Sequence, residues 1–423
     1  MNRKILAAFI AIAMLLSAVA ALAGCNGDTA VEAAETDPLL PAFAIEKFDV
    51  SEDFKIGVIC LHDENSTYDN NFIKSIKRTQ EALGLSDSQV LIKTNIPESS
   101  ACEDAAKELA ENGCKIVFAD SFGHEEHMIA AAKAYPNVEF CHATGTRAAT
   151  EGLANFHNAF AAIYEGRFLA GIVAGLKLNE MIDAGKITAE QAVMGYVGAY
   201  TYAEVISGLT SFYLGAKYVC PSVTMKVRYT GSWYDQAAEQ EAANALIKTD
   251  KCVLISQHAD SLGAPSACEA EGVPNVSYNG STISAGETTF LISSAIDWAP
   301  YFAYIIKQVQ DGNPIDANWT GDISTGSVIL TGLNTATMND KMKTEVESAV
   351  AKFKAGTLHV FDTSTFTVGG EEVTSYLADV EYDTSFTPDT EVVSDGYFHE
   401  SEYRSAPYFD LRIDGIEFIN EMY

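Results

Sequence analysis

Residues 55–83 read KIGVICLHDENSTYDNNFIKSIKRTQEAL, and the period of the apolar side chains changes partway through. KIGVICL is a continuous apolar run of strand length, whereas NNFIKSIKRTQEAL sets Phe72, Ile73, Ile76 and Leu83 on one helical face. The pair of signals then repeats. QVLIKTN is a second strand, followed by the helix CEDAAKELAENG that ends at Gly113. CKIVFADS is a third strand, HEEHMIAAAKAYP a helix stopped by Pro136, and NVEFCHAT a fourth strand. Strands alternating with helices of roughly 10–15 residues imply right-handed crossovers and a parallel sheet.

The next segment, Asn158 to Ala184, reads as one buried helix whose Gly166, Ala170, Gly171, Ala174 and Gly175 would let another element approach closely. Alternation then restarts with the strands QAVMGYVGA, TMKVRYT, CVLISQH and NVSYN and the helices between them. TTFLISSA and GSVILTG follow as strands, WAPYFAYIIKQVQDG and MNDKMKTEVESAVAKFKAG as helices. The expected architecture is α/β, with two doubly wound parallel-sheet lobes joined by a hinge. Residues 53–187 with 286–322 form lobe 1, residues 188–285 with 323–360 lobe 2, and 361–423 a C-terminal extension of short strands and loops. Two such lobes resemble the type I periplasmic-binding-protein fold, in which a ligand sits beyond the carboxyl ends of the strands, between the lobes.

The start of the chain carries a different signal. Met1-Asn2-Arg3-Lys4 is basic, Ile5 to Ala21 is almost wholly apolar, and Leu22-Ala23-Gly24-Cys25 follows. That is the form of an export signal over residues 1–24. Cysteine after Leu-Ala-Gly resembles the lipobox of bacterial lipoproteins, which implies a lipid on Cys25 and attachment to the outer face of the membrane without a span. Residues 25–52, rich in Ala, Thr, Asp, Glu and Pro, read as a tether. Loss of residues 1–24 removes two basic side chains and no acid, leaving 25 basic against 58 acidic. Such a surface repels nucleic acid and favours neutral or cationic ligands. The seven cysteines beyond Cys25 are scattered, with no C-x-x-C pair, which argues against a zinc site or a disulfide framework. Cys60, Cys141 and Cys252 fall in apolar runs as small core hydrophobes, and a single disulfide is left open.

Candidate residues cluster at the strand ends: Tyr68 and Asn70 after the first strand, Phe122 after the third, then Trp233, Asp235, His258, Asp260, Asn279 and, at the late crossing, Trp298. Aromatic rings interleaved with amides and carboxylates suit a flat, polar-edged ring. Asp235 also reads as a helix cap. His124 and His127, at a helix start, are expected to face solvent. Gln257-His258-Ala259-Asp260-Ser261 contains the letters of a hydrolase triad, but a working triad gathers its members from separate parts of a fold. The lip of a binding pocket is the better account, with no catalytic residue, metal or cofactor.

EGRFLAGIVAG (165–175), DSFGH, EFCHATG (139–145), YAEVISGLTSFYLGA (202–216), SWYDQAAEQEAANALI (232–247), QHADS and IDWAPYF (296–302) together resemble the basic membrane protein family of lipoproteins, which includes the purine nucleoside receptor A lipoproteins. The resemblance runs from about Lys55 to Gly356. It implies a solute-binding subunit that passes a purine base or nucleoside to the permease and ATPase of an ABC importer, acting as a monomer. Three positions depart from the nearer branch: Thr67 where a tryptophan is usual, His124 where an aromatic is usual, and Asn279 where an aspartate is common. The alternatives are a nucleoside-processing enzyme, or a receptor for a sugar or other small molecule that serves a signalling partner.

Overall fold

Ile56–Ile59 (β1) is buried at every position, as a strand sealed on both faces of a parallel sheet must be. The structure, a computed structural model, describes residues 34–380 and 387–423; the expected signal peptide, Cys25 and residues 26–33 lie outside the described residues. β1 sits in a six-stranded parallel sheet, between β2 (Val90–Lys93) and β3 (Ile116–Ala119). The sheet continues through β4 (Glu139–Ala143) and β5 (Phe156–Ala161) to β11 (Asn318–Gly321). Helices α1 (Thr67–Leu83), α2 (Ser100–Glu111) and α3 (Glu125–Ala134) make the crossovers, and the one-turn α4 (Ala148–Glu151) precedes β5.

A second sheet of seven strands is centred on β8 (Leu254–Gln257) and β6 (Val193–Gly198). β9 (Asn275–Tyr278), β10 (Phe290–Ile296) and β12 (Val328–Leu330) extend one side, β7 (Thr224–Tyr229) and β17 (Ile416–Phe418) the other, and only β12 is antiparallel. Outside both sheets, the two-residue strands β13 (Leu377–Ala378) and β14 (Thr390–Glu391) pair with each other, as do β15 (Val393–Ser394) and β16 (Tyr397–Phe398). Its helices are α5 (Ile163–Asp183), α6 (Ala203–Val219), α7 (Gln236–Lys248) and α8 (Gly263–Glu271); α9 (Ala299–Asp311) and α10 (Asp340–Lys354) follow. The fold is mixed α/β with two parallel-sheet lobes, as expected from the alternation.

Four expectations are corrected. The single helix from Asn158 is in fact β5 followed by α5: all six residues of β5 are buried, and a fully buried strand lacks the polar alternation that marks it off from a buried helix. The lobe boundaries also move. α5 packs on α6 and β10, so the chain leaves lobe 1 at Ala162 rather than near residue 187. β10 belongs to the second sheet, so the return crossing falls at Asp297 rather than before residue 286, and the third crossing runs between Gly321 and Val328. The three crossings are tied together, Ala162 N–H donating to Gly321 O at 2.7 Å and Asp297 N–H to Ser327 O at 2.7 Å. Arg78 and Ser75 of α1 donate to the Asp297 carboxylate.

The tether is likewise packed from residue 34 onward. Thr36 N–H donates to Leu333 O, Leu330 N–H to Leu40 O, and Leu40 is buried. Residues 361–423, finally, are no appendage: β17 pairs with β7 in parallel, Phe361 stacks on Phe409 at 4.2 Å, and Ser405 donates to Asn318 of β11. The extension therefore touches both lobes.

The small-residue expectation for α5 holds. A Cβ on Gly171 would lie 2.1 Å from Phe212 O, and one on Gly215 of α6 2.0 Å from Phe168 O, so these helices meet backbone to backbone. All seven described cysteines are buried and free. Among the described residues no helix is long and apolar enough to cross a membrane.

Candidate functional site

The lobe 1 wall is built from three strand-end loops, each fixed by an acid, buried in the case of Asp69 and Glu125. After β1, Asp69 accepts from His62 N–H at 2.7 Å and from the Ser66 hydroxyl at 2.5 Å, and Ser66 caps α1. This tight turn directs Tyr68 inward, where its hydroxyl donates to Asp120 O at 2.8 Å. After β3, Glu98 accepts from the Ser121 hydroxyl and from Gly123 N–H, at 2.6 and 2.7 Å, so Phe122, 42% exposed, is presented on a clamped loop. After β4, Thr144 takes a φ of 65° and Glu125 accepts from Thr146 N–H, Arg147 N–H and the Asn158 amide.

The lobe 2 wall follows the same logic. His258, after β8, is anchored by its N–H to Val197 O at 2.8 Å; Nδ1 lies 3.3 Å from the Tyr196 hydroxyl and Nε2 3.4 Å from Glu204 of α6. Asp260 N–H donates to Trp233 O at 2.9 Å, tying the β8 loop to the β7 loop, and the Asp260 carboxyl accepts from the Asn279 amide at 3.1 Å. Asn279 takes a φ of 65°, a conformation asparagine tolerates better than most residues. Beneath this wall, fully buried Arg167 of α5 donates to Ser256 Oγ, the Tyr196 hydroxyl and Ser277 O, and its guanidinium lies 5.0 Å from the Tyr278 ring.

The walls touch. Thr67 N–H and hydroxyl both donate to Asp260 O, at 3.0 and 3.1 Å, and Phe122 stacks on Tyr202 at 5.3 Å. Tyr202 in turn stacks on Tyr200, and Tyr200 meets Trp233 edge-on. The cleft is thus closed around a cavity of about 370 Å³, part of it open to solvent. Tyr68, Phe122, Trp233, His258, Asp260 and Asn279 all line it. Leu61, His62, Asp69, Ser121, Thr144, Glu204 and Tyr278 complete the lining, which contains no lysine or arginine.

Electrostatics set the character of the site. Burial, with the charges of Asp69 and Glu239 adding to it, pushes the Asp260 carboxyl well above the usual carboxylate range. Burial therefore favours the protonated form of Asp260, which offers one O–H donor beside one acceptor. Burial lowers the His258 pKa against the pull of Glu204, so the ring is neutral too. Burial also raises Asp120, helped by the nearby Asp69 charge. Asp69 itself is lowered: burial opposes ionisation, but the hydrogen bonds from His62 and Ser66 outweigh it.

Three candidates lie elsewhere. Asp235 is exposed and caps α7, accepting from Ala237 and Ala238 N–H. Trp298 is 1% exposed in the core, stacked on Phe72 at 4.4 Å, because the crossing turns its ring inward with α9. Asn70 sits half-buried on α1 outside the cavity lining, and its neighbour Asn71 reaches Asn279 instead, at 3.5 Å. His124 is buried rather than solvent-facing: its Nε2 lies 2.9 Å from Ile96 O, and burial holds its pKa at about 4. Ser261 offers no hydroxyl to His258; its Oγ accepts from Gly263 N–H at the start of α8. His62, in the loop after β1, and Glu204, on the first turn of α6, line the cavity without being among the candidate residues.

Cys60, Asp69 and Asp120 bring one potential metal-ligating atom each to within 4.8 Å of one another behind the cavity. Both Asp69 oxygens already accept hydrogen bonds, Asp120 Oδ1 accepts from Leu61 N–H, and burial pushes the Cys60 thiol up. Only Asp120 Oδ2 lacks a partner, so a cation would have to displace existing bonds.

Residues 57–360 match the family model Bmp, described as ABC transporter substrate-binding protein PnrA-like. The chain is 31% identical to a purine-binding protein of Brucella abortus over 314 residues, 73% of this chain and 83% of that one. It is 32% identical over 243 residues to a protein of Haloferax volcanii named for glucose binding in an ABC transporter, 56% of this chain and 58% of that one. Among solved structures, a solute-binding protein of an ABC transporter from Aeropyrum pernix superposes with a TM-score of 0.61 at 18% identity, covering 73% of this chain and 93% of that one. One from Conexibacter woesei gives 0.58 at 20% identity, covering 72% and 98%. Those likenesses establish the type I periplasmic-binding-protein fold, and the family match over most of the chain goes further: this protein belongs to the Bmp family of PnrA-like ABC transporter substrate-binding proteins.

Proposed function

We propose that the protein, held to the outer face of the membrane by lipid on Cys25, captures a purine base or nucleoside and delivers it unchanged to an ABC permease. The observation that carries this reading is the buried carboxyl of Asp260, paired with the Asn279 amide and flanked by Tyr68, Phe122 and Trp233 in one cavity, where burial favours its protonated form. A neutral acid presents a donor and an acceptor side by side, the complement of a heterocyclic edge in which a ring nitrogen adjoins an N–H. Stacking a base on an aromatic ring contributes roughly 1–3 kcal/mol, and each neutral hydrogen bond adds roughly 0.5–1.5 kcal/mol. Two rings and three such bonds total at most about 10 kcal/mol, and an association cost of at least about 4 kcal/mol leaves about 6 kcal/mol, a Kd of tens of micromolar, before any gain from burying the apolar ring faces. The absence of lysine and arginine from the lining argues against a phosphorylated ligand.

A second reading, a sugar, is favoured by one observation: the Haloferax volcanii relative is named for glucose binding. Calorimetric titration of the purified protein with adenine, guanine, adenosine, guanosine and glucose separates the two. Saturable micromolar binding of a purine, recovered intact after long incubation, supports the proposal. Heat with glucose alone overturns it, and conversion of a nucleoside to base and sugar would make the protein an enzyme.

A further inference from the structure

Glu204 stands at the end of a chain of hydrogen bonds that begins in the core. Arg167 is fully buried and donates to uncharged groups: Ser277 O, Ser256 Oγ, Gln257 O and, at 3.0 Å, the Tyr196 hydroxyl. A guanidinium cannot accept, so the Tyr196 oxygen takes its hydrogen and must place its own O–H elsewhere. The other partner of that hydroxyl among the described residues is His258 Nδ1, at 3.3 Å. Nδ1 is therefore the acceptor of the neutral ring, Nε2 carries the hydrogen, and Glu204 Oε1 accepts it at 3.4 Å.

This relay occupies only part of Glu204. Oε1 keeps a lone pair, and Oε2 has no hydrogen-bond partner among the described residues. An acid suits the first turn of any helix, which accounts for a carboxylate at this position of α6 but not for its place in the cleft lining, where no lysine or arginine pairs with it. Tyr278, 1% exposed, lines the same cavity, and its hydroxyl has no partner among the described residues. Burial, with the Glu204 charge adding to it, pushes that phenol well above its usual range, so it stays an O–H donor. The wall thus offers two acceptor oxygens on one carboxylate and a spare hydroxyl.

We infer that Glu204 is a ligand-contacting, specificity-determining residue, whose carboxylate accepts two adjacent N–H groups on one edge of the ring and so makes the cleft prefer a guanine-type ligand to an adenine-type one. The inference rests on the purine reading and adds which purine is taken. Guanine presents its N1–H and 2-amino N–H side by side with the 6-oxo oxygen beyond them, two donors for the Glu204 oxygens and an acceptor for a hydroxyl such as that of Tyr278. Hydrogen bonds onto a charged acceptor are the stronger kind. Adenine presents a 6-amino N–H beside an unprotonated N1, whose lone pair would face a carboxylate oxygen.

The test measures the affinities of guanine, hypoxanthine and adenine for the parent protein and for Glu204→Gln, followed by tryptophan fluorescence at micromolar ligand. Glutamine keeps one acceptor and gains a donor, the complement of the adenine edge. The parent is expected to bind guanine at least about tenfold more tightly than adenine, with hypoxanthine, which lacks the 2-amino group, in between. In Glu204→Gln guanine should weaken at least about tenfold while adenine holds or tightens, so the preference is lost or reversed. A residue that merely supports the wall would weaken both purines alike. The inference is overturned by a parent that binds adenine as tightly as guanine, a measurement that needs no variant, or by a Glu204→Gln protein whose guanine-to-adenine ratio equals the parent's. Binding of neither purine defeats the purine reading itself, whereas binding of both without discrimination defeats this inference alone.

Discussion

Replacing Asp260 by asparagine and by alanine tests the protonation state on which the ligand reading depends. If the carboxyl is neutral, asparagine keeps its shape, its acceptor and a donor, and the loss is at most that of one neutral hydrogen bond, roughly 0.5–1.5 kcal/mol, or about two- to tenfold in Kd. Alanine also strands the Asn279 amide, whose donor now ends on Asp260 Oδ1 at 3.1 Å. A buried group left without a partner costs roughly 1–3 kcal/mol, so the alanine variant loses about five- to 150-fold. Stability moves the other way. A carboxyl raised in the folded state binds its proton more tightly there than in the unfolded chain, so it opposes folding progressively as pH rises above about 4, the ordinary aspartate value. Asp260→Asn removes that penalty and should raise Tm at pH 7 while leaving it nearly unchanged at pH 3. Calorimetry with the purine that binds the parent protein, and thermal melts at the two pH values, give both numbers. If asparagine weakens binding as much as alanine does, and the parent binds more tightly as pH rises, Asp260 acts as an anion and the donor–acceptor argument fails.

Three further outcomes follow from the packing. Purine-induced changes in tryptophan fluorescence should vanish in Trp233→Phe and persist in Trp298→Phe, while Trp298→Ala, which empties a core position beside Phe72, should lose roughly 3–5 kcal/mol in urea unfolding. Gly215→Ala should lose roughly 1–3 kcal/mol, because its new methyl group meets the Phe168 carbonyl of α5, while leaving the cleft residues in place. Glu165, raised to about 7 mainly by burial, opposes folding increasingly between about pH 4.5 and pH 7 and by a constant amount above that; the stability of Glu165→Gln relative to the parent should therefore climb through this window and then level off, which chemical unfolding across pH would show.

The lobes are legible in the sequence because each crossover helix shows a one-sided apolar stripe between short apolar runs. Phe72, Ile73 and Ile76 on α1 are all buried as the pattern demands. What escapes is whatever depends on contacts distant in sequence. Phe156–Ala161 is buried on both faces and carries no two-residue period, so it merges with the helix behind it. β10 reads plainly as a strand, but which sheet takes it is decided by pairing with β9, and the sequence of β10 alone does not carry that choice. The cleft residues were found to the extent that they stand at strand ends: Tyr68, Phe122, Trp233, His258, Asp260 and Asn279 do. Trp298 also follows a strand, yet its ring turns into the core. Glu204, on the first turn of α6, looks like any acid at a helix start until His258 is seen beside it.

β17 has a consequence for how the protein behaves among its own copies. Without it the second sheet would end on β7, whose six residues, paired with β6 on one side, would offer the unpaired amides and carbonyls of their outer edge to any passing extended chain. With it, the outermost strand is only three residues long, its central Glu417 exposed and paired with Lys226 of β7 at 3.6 Å, a template too short to propagate. A solute-binding protein is in this way guarded against fibre-like self-association by a handful of residues near Tyr423 that lie outside the cleft lining.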